Sequence, residues 1–361
     1  MGSYFGNNIR ISVFGQSHSE GIGIVIDGFP AGFSINREAL NNFMSRRAPG
    51  RNDYSTKRKE ADEPVFLSGI VDDVTCGAPI CAVITNSDTR SKDYKNIMDI
   101  PRPAHADYSA QCKFGGYQDV RGGGHFSGRL TAPLCIAGAI CMQYLADKGI
   151  HIGAHISSIS DISDVRFNPL GEPVELLDSI KASDFPVIDP SAKEAMCTKI
   201  LEAKADADSV GGTIECIVTG LPAGIGEPMF GGLENIISSA VFAVPAIKGI
   251  EFGNGFACAA LRGSENNDPF YYTEDGSIRT ATNNHGGILG GISSGMPLLF
   301  RVAVKPTPSI GKEQHSISFS EGKDSPLVIH GRHDPCILQR AVPCIEAVTA
   351  IALADLLISN P

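Results

Sequence analysis

The chain has 361 residues, 42% hydrophobic and 19% charged, and its 30 Lys and Arg against 40 Asp and Glu leave a formal net charge of −10. That apolar fraction supports a sizeable buried core and excludes an intrinsically disordered chain. The acidic balance excludes a general binder of nucleic acid or of acidic membrane, whose affinity rests on excess Lys and Arg.

In chain order, Ile11-Ser12-Val13 reads as a strand. The run Ile24-Val25-Ile26-Asp27-Gly28-Phe29-Pro30-Ala31-Gly32 then reads as a strand that meets a turn, and Leu40, Phe43 and Met44 follow at helical spacing. Further strands are expected over 65–67, 79–85, 213–218, 298–304 and 327–329. Residues 131–147 are apolar nearly all round and predict a buried helix. Residues 192–205 predict a surface helix, and 344–358 a core helix with Pro343 in its first turn.

One segment echoes another. Cys216-Ile217-Val218-Thr219-Gly220-Leu221-Pro222-Ala223-Gly224 matches residues 24–32, and Leu233, Ile236, Ile237 and Ala240 again follow at helical spacing. The echo predicts a duplicated strand–turn–helix unit within a single domain spanning 1–361, with halves near 10–150 and 205–358. Strands interleaved with buried helices predict a mixed α/β or α+β architecture.

The first six residues lack a basic segment leading into an apolar one, so no secretory signal is expected. The apolar stretches around 134–142 and 345–358 are too short, or too interrupted by Glu346 and Asp355, to predict a membrane span. None of the ten cysteines forms a Cys-x-x-Cys or stands beside His at zinc-ligand spacing. Reduced thiols, no metal and a cytoplasmic location are expected.

Six short segments carry reactive side chains. Phe14-Gly15-Gln16-Ser17-His18-Ser19 sets a histidine in a Gly/Ser turn at a strand end. Arg46-Arg47-Ala48-Pro49-Gly50-Arg51, continuing to Lys57-Arg58-Lys59, offers guanidinium groups for carboxylate or phosphate. Arg102-Pro103-Ala104-His105-Ala106-Asp107 frames a second histidine with Arg and Asp. Arg121-Gly122-Gly123-Gly124-His125-Phe126-Ser127-Gly128-Arg129 runs onto the expected buried helix, a setting suited to anions. It has neither the P-loop spacing nor the dinucleotide fingerprint. Asn284-His285-Gly286-Gly287, on to Gly295 and Lys305-Pro306-Thr307-Pro308-Ser309, is glycine-rich, and Gly331-Arg332-His333-Asp334 precedes Arg340 and Pro343. Together they predict an enzyme acting on a small polyanion.

With these segments in place the chain resembles the chorismate synthase family nearly end to end. The likeness runs through residues 15–32, 46–69, 91–94 and 102–129, then Asp208-Ser209-Val210-Gly211-Gly212, Lys248-Gly249-Ile250-Glu251, 284–295 and 331–343. It implies an α+β fold, a β-α-β sandwich with helices between antiparallel sheets and two related halves, assembled as a homotetramer. It also implies a lyase of aromatic amino acid biosynthesis, the last step of the shikimate pathway. Phosphate is eliminated in a trans-1,4 sense from 5-enolpyruvylshikimate 3-phosphate to give chorismate. Reduced FMN (FMNH2) serves as cofactor with no net redox change.

By the same resemblance His18 acts on the reduced flavin, His105 donates a proton to the leaving phosphate and Asp334 relays protons. Arg46, Arg47, Arg102, Arg129, Arg332 and Arg340 hold the substrate's anionic groups. The flavin contacts are Arg47, His125, Phe126, Ser127, Pro245, Ala246, Gly290, Lys305, Pro306, Thr307, Pro308, Ser309 and Arg332. The length leaves little room for an added NADPH-dependent flavin reductase, so reduced FMN is expected from an external reductase or other electron donor. No nucleic-acid or membrane partner is expected.

The chain departs from the family at several positions. Gln16 and Ser19 replace Glu and Gly around the first histidine. His125, Phe126 and Leu130 replace Arg, Ser and Glu in the glycine segment, and Gly128 replaces Ala. Loss of that Arg-Ser pair predicts weaker FMN binding, because imidazole is mostly neutral at pH 7.

Overall fold

In the computed structural model, residues 2–50, 62–86, 98–329 and 334–359 are described. The N-terminal part runs β1 (Tyr4–Phe5), β2 (Arg10–Gly15), β3 (Gly21–Asp27), α1 (Arg37–Arg47), β4 (Val65–Ser68), the short hairpin β5–β6 (Ile70–Val71 and Val74–Thr75), β7 (Ile80–Thr85), α2 (Asp107–Phe114) and α3 (Thr131–Ala146). Asn36 caps α1 by accepting from the Ala39 N–H at 2.9 Å, and Leu40, Phe43 and Met44 form its buried stripe. The strands pair antiparallel in the order β1-β2-β3-β7-β4. Ile22, Ile24 and Ile26 of β3, with Ile80, Ala82 and Ile84 of β7, turn inward at a period of two.

The C-terminal part runs β8 (His151–Ile159), β9 (Ile162–Ser163), α4 (Val174–Ala182), α5 (Pro190–Ala205), β10 (Gly212–Thr219), α6 (Leu233–Val241), β11 (Ile247–Phe252), α7 (Gly263–Asn266) and the hairpin β12–β13 (Phe270–Tyr272 and Ile278–Thr280). A short hairpin β14–β15 (Ile288–Leu289 and Ile292–Ser293), β16 (Leu298–Val304), the hairpin β17–β18 (Gln314–Ser318 and Lys323–Leu327) and α8 (Leu338–Ser359) complete it. The second sheet has the order β11-β16-β10-β8-β9, all antiparallel. Helix α3 packs on the first sheet, α8 on the second, and the two helices pack on each other. The architecture is therefore α+β, with helices between antiparallel sheets. A Cβ on Gly138 of α3 would stand 2.2 Å from the Cβ of Ala347 on α8, so glycine permits this close crossing.

The echoed segments occupy matching places. A Cβ on Gly28 (φ +82°) would meet the Asn8 carbonyl oxygen at 2.0 Å, and one on Gly220 (φ +77°) would meet that of Gly149 at 2.0 Å. The Thr75 hydroxyl donates to the Pro30 carbonyl and accepts from the Phe33 N–H, and the Ser293 hydroxyl does the same with Pro222 and Ile225. The second set of elements begins at His151 rather than near 205, because β8 is the partner strand of β10 and α4 and α5 are inserted between them.

Two other boundaries differ from expectation. The strand expected over 327–329 lies earlier, in the β17–β18 hairpin. Helix α8 begins at Leu338, so Pro343 lies inside it and removes the N–H that would bond the Gln339 carbonyl. The flanks of the apolar stretches also extend them: Gly128–Ala146 and Leu338–Ile358 are long and apolar enough to cross a membrane by length and composition. Both lie largely buried inside the protein.

Candidate active site

A cavity of about 540 Å³ opens where the start of α3, the start of α8 and the loop after β16 converge. Its size suits a cofactor-sized ligand. Arg47, Arg102, Arg129, Lys305 and Arg340 line it, together with His105, Asp334, Ser127, Thr307 and Ser309. Phe126, Val244, Pro245, Ala246, Ile329 and Ile337 supply the apolar wall.

Each cation but one is held by a carboxylate. Asp62, fully buried, bridges two arginines: Oδ2 accepts from Arg47 Nη1 at 2.5 Å and Oδ1 accepts from Arg129 Nη1. Against burial, the charges and hydrogen bonds of Arg47 and Arg129 hold the Asp62 pKa below its ordinary value. Arg47 also donates to Thr131 Oγ1 (3.1 Å) and the Gly128 carbonyl (2.9 Å). Arg129 Nε donates to Asn86 Oδ1 at 2.9 Å, and Asn86 Nδ2 donates to the carbonyls of Gln16 and Ser19. Arg340 pairs with Asp334 at 2.7 Å. Lys305 has no carboxylate within ion-pair distance among the described residues, and burial, then Lys248, lowers its pKa.

Asp107 organises the second histidine. Its Oδ2 accepts from the Arg102 backbone N–H and Nε, and its Oδ1 lies 2.6 Å from His105 Nδ1. Against burial, the bonds from Arg102 and His105 hold Asp107 well below the usual carboxylate range. Arg102 Nη1 reaches Ser309 Oγ at 3.2 Å, joining this turn to the loop after β16.

The glycine run separates the two histidines. Gly122, Gly123 and Gly124 all have positive φ. A Cβ on Gly122 would stand 2.3 Å from the His18 ring, and one on Gly123 would stand 3.2 Å from His105 Nε2. His18 therefore packs behind Gly122, which itself lines the cavity. His125 is tied on both ring nitrogens, Nδ1 to the Gly15 carbonyl at 2.8 Å and Nε2 to Ser3 Oγ at 2.9 Å. Ala246 adopts φ +76°, and its carbonyl accepts from the Lys305 N–H at 3.0 Å. This bond sets Pro245 and Ala246 beside Thr307, Pro308 and Ser309.

Three expected contacts lie elsewhere in this chain. Arg46 forms a two-pronged pair with buried Glu346, whose Oε1 also accepts from the Ala154 N–H. Successive helical residues point about 100° apart, so with Arg47 facing the cavity Arg46 faces β8 and α8. Gly290 stands exposed between β14 and β15, outside the lining, and Pro306 is exposed beside it without lining it. Arg332 lies outside the described residues, as do residues 51–61 and 91–94. Residues not singled out as site residues in the sequence include Asp62, Asn86, Thr131 and Cys344. Asp107, inside the quoted Arg102 segment, is the one partner that local spacing could have flagged.

The geometry assembles anion-holding cations, a carboxylate-held histidine and an apolar wall around one cavity. The chorismate synthase family model matches residues 9–358. A chorismate synthase from Lancefieldella parvula is 46% identical over 372 residues, covering 100% of this chain and 97% of that one. One from Thermococcus gammatolerans is 44% identical over 351 residues, covering 97% and 96%. A crystal structure of chorismate synthase matches with a TM-score of 0.76 at 26% identity, covering 98% of this chain and 93% of that chain.

Proposed function

The chain belongs to the chorismate synthase family, and we propose that its cavity eliminates phosphate from 5-enolpyruvylshikimate 3-phosphate to give chorismate, with reduced FMN as cofactor. The observation that carries this reading is the convergence of Arg47, Arg102, Arg129, Lys305 and Arg340 with His105 in one cavity that also has an apolar wall. The residues fit a flavin. Thr307 Oγ1, beside Pro308 and Ser309, is buried without a hydrogen-bond partner among the described residues, and the cavity's cations outnumber the carboxylates that pair them.

Reduced FMN, when bound, supplies electron density as the phosphate departs and recovers it as the ring hydrogen leaves, so there is no net redox change. The protein's part is binding, orientation and proton supply. Arg129, Lys305 and Arg340 neutralise charge on the departing phosphate and the substrate's carboxylates. His105, with Nδ1 committed to Asp107, presents Nε2 as the proton donor to the leaving group. Pro245 and Ala246 would supply apolar surface for the ring system, and Ser127, Thr307 and Ser309 would offer it hydroxyls. His18, behind Gly122, and Asp334, held by Arg340, would serve as proton-holding groups for the bound flavin.

We further propose a cytoplasmic homotetramer supplied with reduced FMN by an external reductase. Gly290, outside this cavity, would then contact flavin from a neighbouring copy. An anaerobic assay with reduced FMN and 5-enolpyruvylshikimate 3-phosphate tests the reading: equal yields of phosphate and chorismate are expected. No phosphate release would overturn it, and FMN reduction driven by NADPH alone would point to a flavin reductase instead.

A further inference from the structure

Cys344 lies one helical turn after Arg340 on α8 and forms part of the cavity wall. Its sulfur stands 3.9 Å from that of Cys135 on α3, and its S–H points at the Arg340 carbonyl at 3.2 Å. The elimination proposed above gives neither sulfur a role. We infer that Cys344 and Cys135 are a peroxide-reactive thiol pair, reached by small oxidants at Cys344 in the cavity wall, that closes reversibly to a disulfide between α3 and α8.

The pair is asymmetric. The S–H donated by Cys135, opposed by burial and reinforced by the Arg47 guanidinium, lowers the Cys344 thiol to about 7. Burial pushes Cys135 well above the ordinary thiol value. Cys344, which lines the cavity, is the nucleophile, and Cys135, behind it on α3, is the thiol that resolves it. The crossing at Gly138 and Ala347 holds the two helices together. The sulfurs must close from 3.9 Å to about 2.05 Å, the length of a disulfide.

The oxidant is hydrogen peroxide. The Cys344 thiolate attacks one peroxide oxygen, the O–O bond breaks, and the departing hydroxide takes up the proton the thiol had lost, leaving a sulfenic acid and water. The Cys135 sulfur then attacks the sulfenyl sulfur. An S–S bond forms, the S–O bond breaks, and hydroxide leaves with the Cys135 proton as a second water. Two thiols give up two electrons to one peroxide, and a dithiol reductant reverses the change.

The test uses the ligand-free full chain, so it reads chemistry independent of the proposed catalysis. After hydrogen peroxide at pH 7 and alkylation, peptide mass spectrometry without reduction should find Cys135 linked to Cys344, and dithiothreitol should abolish the link. In a Cys135→Ala variant, which lacks the resolving thiol, dimedone should trap Cys344 as the sulfenic acid. Oxidation confined to exposed Cys76, Cys112 and Cys258 would overturn the inference. So would oxidation of Cys344 in the native chain without linkage to Cys135.

Discussion

Asp107 holds His105 through a single 2.6 Å contact between Oδ1 and Nδ1, while Arg102 donates to both carboxylate oxygens, Nε to Oδ2 and Nη2 to the same Oδ1, each at 2.8 Å. The carboxylate accepts from both and so commits the Nδ1 proton, leaving Nε2 beside Gly123 for the cavity. An amide at position 107 can satisfy Nδ1 only as one of two tautomers and cannot balance an imidazolium. Asp107→Asn should therefore lower kcat on the order of 10²-fold, the size of a general-acid contribution. Because the pair acts as a unit, Asp107→Asn combined with His105→Asn should be little worse than His105→Asn alone. Steady-state phosphate release by the three variants checks this, and additive losses would separate the two residues.

Asp62 serves two arginines at once, and its carboxylate is the anion that both share. Replacing it with Asn removes the buried negative charge that Arg47 and Arg129 share, which should destabilise the protein by about 3–5 kcal/mol at pH 7. The depressed pKa fixes the pH dependence. The contribution is present above the unfolded value of about 3.9 and is lost as pH falls through the lower folded value. Urea unfolding at pH 7 and at successively lower pH should thus show the native chain and Asp62→Asn converging in acid. A constant gap between them would assign Asp62 no electrostatic part.

Much of the site was legible in the sequence because its loops are local. The Arg102–Asp107 turn, the glycine run and the Lys305–Ser309 loop each carry their chemistry within a few residues. What spacing could not supply were the partners chosen by the tertiary fold. Asp62 meets Arg129 only because α3 starts beside it, and Arg46 meets Glu346 only because α8 lies behind α1. The echo at Pro30 and Pro222 made the duplicated turn visible, yet the start of the second element set at His151 was hidden by the α4–α5 insertion. Arg46 and Arg47 looked equivalent as letters, and helical geometry separates them.

The flavin segment yields a prediction of affinity. His125 stands where the family resemblance leads one to expect Arg, and both of its ring nitrogens are already engaged, by the Gly15 carbonyl and Ser3 Oγ. Phe126, beside it, brings no hydroxyl. The double variant His125→Arg/Phe126→Ser should bind FMN about tenfold more tightly, the gain of one charge-assisted contact. Fluorescence titration of FMN into both proteins measures this, and equal dissociation constants would sink it.

His155 supplies a pH dependence of opposite sign. Fully buried on β8, it is sandwiched between Asp164, 3.0 Å from Nδ1, and Glu215, 3.2 Å from Nε2. Against the downward push of burial, its bonds to Asp164 and Glu215 raise its pKa above the ordinary histidine value. Arg301 stands 3.6 Å from Glu215 and also pairs with Glu251, so the carboxylates keep a cation when the ring loses its charge. A raised folded pKa means that the stabilisation is complete below the unfolded value of about 6.5 and is lost as pH rises through the folded value. The urea midpoint of the native chain should therefore fall between pH 6.5 and 9. His155→Gln, which keeps a hydrogen-bonding side chain but carries no proton to lose, should start lower and stay flatter over that range. A native chain whose midpoint holds level to pH 9 would show that the imidazole is not held as the cation.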